Sequence, residues 1–174
     1  MKEQKTEENI SKKDVSALYR EDLHKEILEQ LVHREFDYVC VIDAKKQTVY
    51  VDVDVLGAEW NWAGKELNYY DARDLLIEAF LDDNDSRDYR HCSDISYIVE
   101  RLEEQEEYSF MFHFDVPGQR RNKKQWKFSY LRREEGLILT TLKDVTILLE
   151  QDHLTGEWNR YGFIRKARQI IQDK

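Results

Sequence analysis

Apolar residues recur every three or four positions in one early segment of the chain, and this period indicates an amphipathic helix. Residues 1–13 are nearly all charged or polar and predict a disordered lead-in. Over residues 14–33 the apolar positions fall on one helical face. They are Val15, Leu18, Tyr19, Leu23, Ile27, Leu28, Leu31 and Val32. We therefore expect an N-terminal flanking helix over residues 14–33, with a stripe that something must cover.

The period falls to two after residue 34, which is typical of half-buried strands. The first run places Phe36, Tyr38, Cys40 and Ile42 on one side, and the second does the same for Val49, Val51, Val53 and Val55. A short polar connector, residues 43–47, separates the two runs. The pattern predicts a β-hairpin.

Residues 57–107 contain no further clean alternation and predict a helical layer. Residues 72–81 and 95–102 have helical patterns, and the turn-rich segment 82–86 lies between them. Alternation then returns in three runs, whose apolar positions are Tyr108, Phe110, Phe112 and Phe114, then Trp126, Phe128 and Tyr130, then Leu137, Leu139 and Thr141 offset against Ile138, Thr140 and Leu142. Turns at Pro117-Gly118 and at 134–136 separate these runs. The order predicts an α+β fold: a five-stranded antiparallel sheet, short helices on one face, and flanking helices at both ends.

Charge and composition exclude several classes of function. The formal net charge of −9 argues against a general affinity for nucleic-acid phosphates or anionic lipids. Two cysteines cannot form a disulfide framework, no apolar run reaches the roughly 18 to 20 residues of a membrane-spanning helix, and the charged start lacks the apolar stretch of a signal peptide. We therefore expect a cytoplasmic protein with no nucleic-acid partner and no membrane contact within this chain.

The sequence also lacks the motifs of nucleotide, metal and catalytic sites. None of its six glycines forms a GxGxxG or GxxxxGK motif, and its five histidines show no HExxH or zinc spacing. Asp82, Asp83 and Asp85 lack the glycine and glutamate that complete a calcium loop, which favours a capping and turn role. The glutamate-rich run 103–107 is typical of a solvated helix end. We expect no metal and no cofactor, and find no residue set for a small-molecule enzyme.

The last strand and the segment after it carry the most informative motifs. Asp144-Val145-Thr146 ends the strand, and a D-x-L-T-G-x-x-N-R-x-x-F run follows. The tripeptide and the order of elements resemble a PAS sensor domain over residues 34–146. The second run resembles the opening of a GGDEF (diguanylate cyclase) domain, with matches at Asp152, Leu154, Thr155, Gly156, Asn159, Arg160 and Phe163. Glu157 departs from that family, in which leucine is usual.

The resemblance implies a non-catalytic PAS-type sensory module of a bacterial diguanylate cyclase in cyclic di-GMP signalling. Residues 147–174 would be a linker and the truncated first helix of the GGDEF domain, whose GTP-binding and metal-binding carboxylates lie further downstream, so this chain is not expected to be an enzyme. The implied mechanism is a population shift, in which ligand or partner binding changes how flanking helices pair in a homodimer. The implied signal-transmission residues are Asp144, Thr146, Asp152, Thr155, Gly156, Asn159 and Arg160.

PAS domains enclose small ligands on the concave side of the sheet, so the resemblance also implies a candidate pocket. Its residues would be Phe110, Phe112, Phe128 and Tyr130. Large aromatic side chains also fill a core well, and the alternative is a PAS-like dimerisation or interaction scaffold with no ligand. A void of about 300 Å³ or more would favour sensing. Cys92 does not match the flavin-adduct motif of one PAS branch, and His91 is the one candidate for a haem axial ligand.

Overall fold

The computed structural model describes residues 22–56, 61–115, 122–152 and 155–172. The chain divides into two compact units, Met1–Glu35 and Phe36–Lys174. In the first unit, helix α1 covers residues 22–35, two residues beyond the predicted end. The predicted lead-in and the predicted helix start at 14–21 lie outside the described residues. The apolar stripe of α1 is about half exposed, at 45% to 53% for Leu23, Ile27, Leu28 and Leu31.

The second unit is built on a six-stranded antiparallel sheet. Its strands are β1 (Tyr38–Asp43), β2 (Thr48–Asp54), β3 (Glu66–Asn68), β4 (Glu107–Phe114), β5 (Asn122–Arg132) and β6 (Leu137–Asp144). They lie in the order β3-β2-β1-β6-β5-β4, and all neighbouring pairs are antiparallel. The predicted α+β class, the antiparallel sheet and the β1–β2 hairpin are confirmed. The predicted turn at Pro117-Gly118 lies outside the described residues.

The predicted number of five strands is wrong, because β3 adds a sixth strand at the sheet edge. It pairs with β2, where Thr48 lies opposite Asn68 and donates from Oγ1 to Glu66 at 2.9 Å. The segment Glu66–Asn68 has a single apolar residue, Leu67, so it shows no alternation. This segment is a strand because it pairs with β2 at the edge of the sheet. The hydrophobic pattern of a segment does not record such pairing.

Three helices follow β3 and form the layer against the sheet. They are α2 (Tyr69–Phe80), α3 (Asp83–Cys92) and α4 (Ile95–Glu104). Asn68 caps α2, since its side-chain oxygen accepts from the backbone N–H groups of Tyr70 and Asp71. Asp94 caps α4 by accepting from the Ser96 N–H. The glutamate run 103–107 is exposed where α4 ends, as predicted.

The segment predicted as a turn at 82–86 is instead the beginning of α3. Asp82 Oδ1 accepts from the Asp85 N–H at 2.8 Å, and the Asp82 carbonyl accepts from the Ser86 N–H at 2.9 Å. Aspartate, asparagine and serine are favoured both in turns and at helix N-termini, so composition did not separate the two. The capping role predicted for this acidic segment is therefore confirmed at Asp82.

The sheet buries one face against the helices. In β6 and β2 the structure shows which residues lie on that face. On β6 the buried set is Ile138, Thr140 and Leu142. On β2 a bulge changes the phase, because Val51 pairs with Cys40 while Val53 pairs with Val39. Consecutive residues of β1 point to opposite faces, so Val51 and Val53 do too. The prediction that residues 49, 51, 53 and 55 share one face is wrong beyond Val51.

The exit from β6 consists of two helices joined by an extended turn. They are α5 (Thr146–Glu150) and α6 (Arg160–Gln172). Between them, Gln151 and Trp158 form an isolated antiparallel bridge. None of the helices in the described ranges has both the length and the apolar character needed to cross a membrane.

Candidate functional site

A buried lysine bridges the beginning of β1 and the end of β6, two neighbouring central strands. Lys124 on β5 is 7% exposed, and its Nζ lies 2.8 Å from Asp37 Oδ2 and 3.2 Å from Asp144 Oδ2. Asp37 directly precedes β1, and Asp144 is the last residue of β6. A buried ammonium group requires such pairing. One side chain therefore holds the entry to the first strand and the exit from the last.

Thr146 fastens the beginning of α5 to the neighbouring strand. Its Oγ1 accepts from the Lys123 N–H at 2.7 Å, and its own N–H donates to Asp144 Oδ1 at 2.8 Å. Burial alone would raise the pKa of Asp144, but the hydrogen bonds from Thr146 and the charge of Lys124 hold this pKa below its ordinary value. Asp144 is therefore a carboxylate at neutral pH, with one oxygen on α5 and the other on Lys124.

Asp152, Thr155 and Gly156 lie close together in the connection between α5 and α6. Asp152 Oδ1 accepts from the Thr155 N–H at 3.0 Å and from Thr155 Oγ1 at 3.2 Å. The Asp152 N–H donates to the Glu157 carbonyl at 2.8 Å. Gly156 has a φ of +70°, in the left-handed region that favours glycine. These predicted residues therefore lie together in one turn, while 153 and 154 are outside the described residues.

Asn159 ties the beginning of α6 to the end of α5. Its Oδ1 accepts from the Gly162 N–H at 3.0 Å, as a helix N-cap does, and its Nδ2 donates to the Leu149 carbonyl at 2.8 Å. Its backbone N–H donates to the Glu150 carbonyl at 2.8 Å. Arg160 follows as the first residue of α6 and is exposed. Asn159 therefore makes α5 and α6 one connected element.

A buried carboxylate lies where α6 meets α5. Glu150 is 1% exposed and forms an ion pair with Arg165 on α6. Gly162 packs closely here, because a Cβ at that position would overlap the Glu150 carbonyl oxygen and lie 2.8 Å from the Trp158 ring. The close approach of the two helices therefore depends on a missing side chain and on an ion pair.

Sequence reasoning missed four residues of this site: Asp37, Lys124, Glu150 and Arg165. A signal existed for Lys124, since it stands two residues before Trp126 and so falls in phase with the inward-facing positions of β5. A lysine in that phase indicates a buried charge with partners. No comparable signal marks Glu150 or Asp37, because each lies in a segment where acidic residues are ordinarily solvated.

The four aromatic residues predicted as a pocket do not share one surface. Phe128 is buried and lines a cavity of about 30 Å³ between the sheet and the helices. Phe112 is buried and Phe110 half-buried in the same aromatic cluster, but the described residues lining the cavity include neither. Tyr130 lines a separate surface groove, where its hydroxyl donates to Glu103 at 3.2 Å.

The phenols and the thiol around the cavity are neutral, and Arg73 is the one charged side chain among the described lining residues. Burial raises the pKa of the Tyr38, Tyr69 and Tyr89 phenols and of the Cys40 thiol above their ordinary values. The Tyr69 hydroxyl donates to the Ser93 carbonyl at 2.6 Å. A protonated thiol and protonated phenols are poor nucleophiles. The cavity therefore suits a very small neutral molecule rather than covalent chemistry.

The residues weighed as metal or cofactor ligands lie away from this cavity. Within the described part of the chain, no group of three or more histidine, cysteine, aspartate or glutamate residues is placed to hold a metal ion. His91 is exposed, and its ring packs against that of Tyr97 with centroids 4.4 Å apart and an interplanar angle of 41°. Cys92 is half-buried, and its carbonyl accepts from the Tyr108 hydroxyl at 3.2 Å.

Comparison with models of known protein families found no match to this chain, and a search of curated proteins found none either. The motif residues and the contacts described above are therefore the basis of the functional proposal.

Proposed function

We propose that this chain is a non-catalytic PAS-type regulatory module of a diguanylate cyclase, which passes ligand or partner binding to a C-terminal output segment. The observation that carries the proposal is the placement of Lys124 between Asp37 and Asp144, at 2.8 Å and 3.2 Å. Because one ammonium group contacts both the beginning of β1 and the end of β6, a change at the entry of β1 alters the electrostatics of the exit.

The contacts beyond Asp144 support a short and stiff route to α6. Helix α5 has five residues, which is a rise of about 7.5 Å. It is fastened at its beginning by Thr146 and at its end by Asn159. A displacement of the β6 end therefore reaches α6 through the contacts of Thr146 and Asn159.

The size of the cavity limits the kind of signal. About 30 Å³ is far below the roughly 300 Å³ of a typical small-molecule pocket, which favours partner binding as the input. The same observation favours a second candidate, a PAS-like dimerisation or protein-interaction scaffold with no small-molecule ligand. The two candidates differ in whether a change in the sheet reaches α6.

Hydrogen–deuterium exchange on the purified chain separates the two candidates. In Lys124→Met we expect faster exchange at the amides of Asn159 and Gly162, because the exit loses its anchor. Lys127→Met is the matched control, since Lys127 lies on the same strand but is exposed and pairs with Glu107. Methionine preserves side-chain volume, and Lys124→Arg tests whether the charge alone suffices. Faster exchange confined to β1 and β5 would favour the scaffold.

We propose that the module is a homodimer and that α1 contributes to the contact. Leu23, Ile27 and Leu31 recur at intervals of four on the half-exposed stripe, as positions in a helix pair do. Analytical ultracentrifugation at tens of micromolar is expected to give a dimer for the parent chain and a monomer for Leu23→Glu, Ile27→Glu. The control replaces Lys25 and Glu29, which pair on the solvated side, with alanine. A monomeric parent, or a dimer that survives the double substitution, would reject this role.

The proposed module does not synthesise cyclic di-GMP. The six glycines are at positions 57, 64, 118, 136, 156 and 162, and none forms a paired-glycine active-site loop. Incubation with GTP and magnesium, followed by chromatography, is expected to give no cyclic dinucleotide. Detectable product would overturn the non-catalytic assignment.

A further inference from the structure

One buried hydroxyl in the core has an unmet hydrogen-bonding requirement. Thr140 on β6 is 2% exposed, and its Oγ1 has no nitrogen or oxygen partner at hydrogen-bond distance among the described residues. Its Cα lies opposite those of Cys40 and Phe128 on the neighbouring strands. The Cys40 thiol interacts with this hydroxyl, but a thiol is only a weak hydrogen-bonding partner and leaves most of the hydroxyl's hydrogen-bonding capacity unused. Unpaired buried hydroxyls are costly and uncommon in native proteins.

Thr140 lines the cavity of about 30 Å³ between the sheet and the helices. A water molecule requires about 10 to 15 Å³ of such space, so the cavity has room for one or two. An organic ligand of ordinary size requires roughly ten times more. The half-buried Arg73 is the one residue among the described lining residues that is not buried.

Other hydroxyls lining the same cavity supply further partners. Tyr89 accepts a hydrogen bond from Trp126 Nε1 at 2.8 Å and keeps its own proton to donate. Ser93 Oγ donates to the Tyr89 carbonyl at 2.6 Å and keeps its lone pairs to accept. Tyr38 lines the cavity too. Buried water molecules usually have two to four polar partners, and this cavity provides that number.

We propose that this cavity is a hydration site, which holds one or two water molecules with Thr140 Oγ1 as a hydrogen-bonding partner. The water completes the hydrogen bonding of the core and fills the space that the packed side chains leave. The site is independent of the proposed regulatory function, because it depends on contacts within the core and not on the exit from β6.

Magnetic relaxation dispersion of water nuclei, which counts long-lived bound water molecules, tests the site on the intact chain. We expect at least one such molecule in the parent and one fewer in Thr140→Val, which removes the hydroxyl but keeps a similar shape. The matched control is Thr141→Val. Thr141 is the next residue of β6 and is half-buried on the opposite face of the sheet. Removing its hydroxyl is expected to leave the number of long-lived water molecules unchanged.

Urea unfolding gives a second readout with opposite signs. If water binds Thr140, Thr140→Val lowers the urea midpoint, because the water loses a partner. If the cavity is dry, the substitution removes an unpaired hydroxyl and leaves the midpoint equal or higher. Should the variant not fold, the parent chain alone decides the question through a nuclear Overhauser effect between water and the Thr140 methyl group. No long-lived water in the parent, no such effect, or an organic molecule retained in native mass spectrometry would overturn the proposal.

Discussion

The interior of the sheet unit and the exit from β6 are held by different kinds of contact. In the interior, aromatic rings pack around Phe128, whose ring centroid lies 5.6 Å from that of Tyr108 and 5.9 Å from that of Phe110. At the exit, hydrogen bonds and ion pairs dominate, and apolar side chains of α6 stay exposed, among them Phe163 at 65% and Ile171 at 74%.

This difference predicts two kinds of response to substitution. Apolar packing is spread over many neighbours and supports the whole unit, so a core substitution changes global stability. Directional contacts at the exit each depend on one or two atoms, so a substitution there changes local order first. An exit of this kind is suited to transmitting a small change without unfolding the core.

The largest expected effect is in the interior, at Phe112, which is 4% exposed. We expect Phe112→Ala to cost about 3 to 5 kcal/mol of unfolding free energy, because it leaves a cavity in a filled aromatic cluster. Urea unfolding measures it. Met111→Ala is the control, since this neighbour on β4 is exposed on the other face. A Phe112→Ala midpoint within about 1 kcal/mol of the parent would contradict the account of a filled core.

The next effect is at the exit, where Gly162→Ala forces α6 away from α5. Alanine ordinarily favours a helix over glycine by about 1 kcal/mol, but here its Cβ would overlap the Glu150 carbonyl. We expect a net loss of about 1 to 3 kcal/mol in the docking of α6, measured as faster amide exchange in that helix. In an isolated peptide of residues 157–172 the same substitution should raise helicity. A docked, slower-exchanging α6 in the variant would refute the close approach.

A smaller effect follows from the lowered pKa of Asp144. Its contribution to stability is complete above its unfolded-state pKa, near 3.9, and is lost as the pH falls through the lower folded-state pKa. We therefore expect Asp144→Asn to be less stable than the parent at pH 7, with the difference shrinking as the pH falls below about 4. Urea midpoints above and below that pH measure it. A difference that is independent of pH would exclude the carboxylate as its source.

The smallest expected effect is at Tyr130, which lines the surface groove and not the interior. Tyr130 donates to Glu103 at 3.2 Å on the surface, so Tyr130→Phe is expected to change the unfolding free energy by no more than about 0.5 kcal/mol. Thermal unfolding measures it. A loss comparable to that of Phe112→Ala would mean that Tyr130 belongs to the core after all.

Pattern along the chain was sufficient for most of the elements but not for their junctions. Alternation located β1, β2, β4, β5 and β6, because the period of a half-buried strand is recorded in its own residues. It missed β3, whose pairing depends on another strand, and it took the beginning of α3 for a turn, because capping and turn residues are the same types.

The signal-transmission residues illustrate the same division. The sequence motifs placed Asp144, Thr146, Asp152, Thr155, Gly156, Asn159 and Arg160 in one group. Within it, Asp144, Asp152 and Asn159 each accept a hydrogen bond from a backbone N–H two or three residues further along the chain. Their long-range partners were not visible, since Lys124 is 87 residues from Asp37 along the chain and meets it only when β1 and β5 both lie beside β6. Local geometry follows from short-range sterics and hydrogen bonding, which neighbouring residues specify. Which charges meet, and how much space the aromatic rings leave between them, depends on the packing of distant segments.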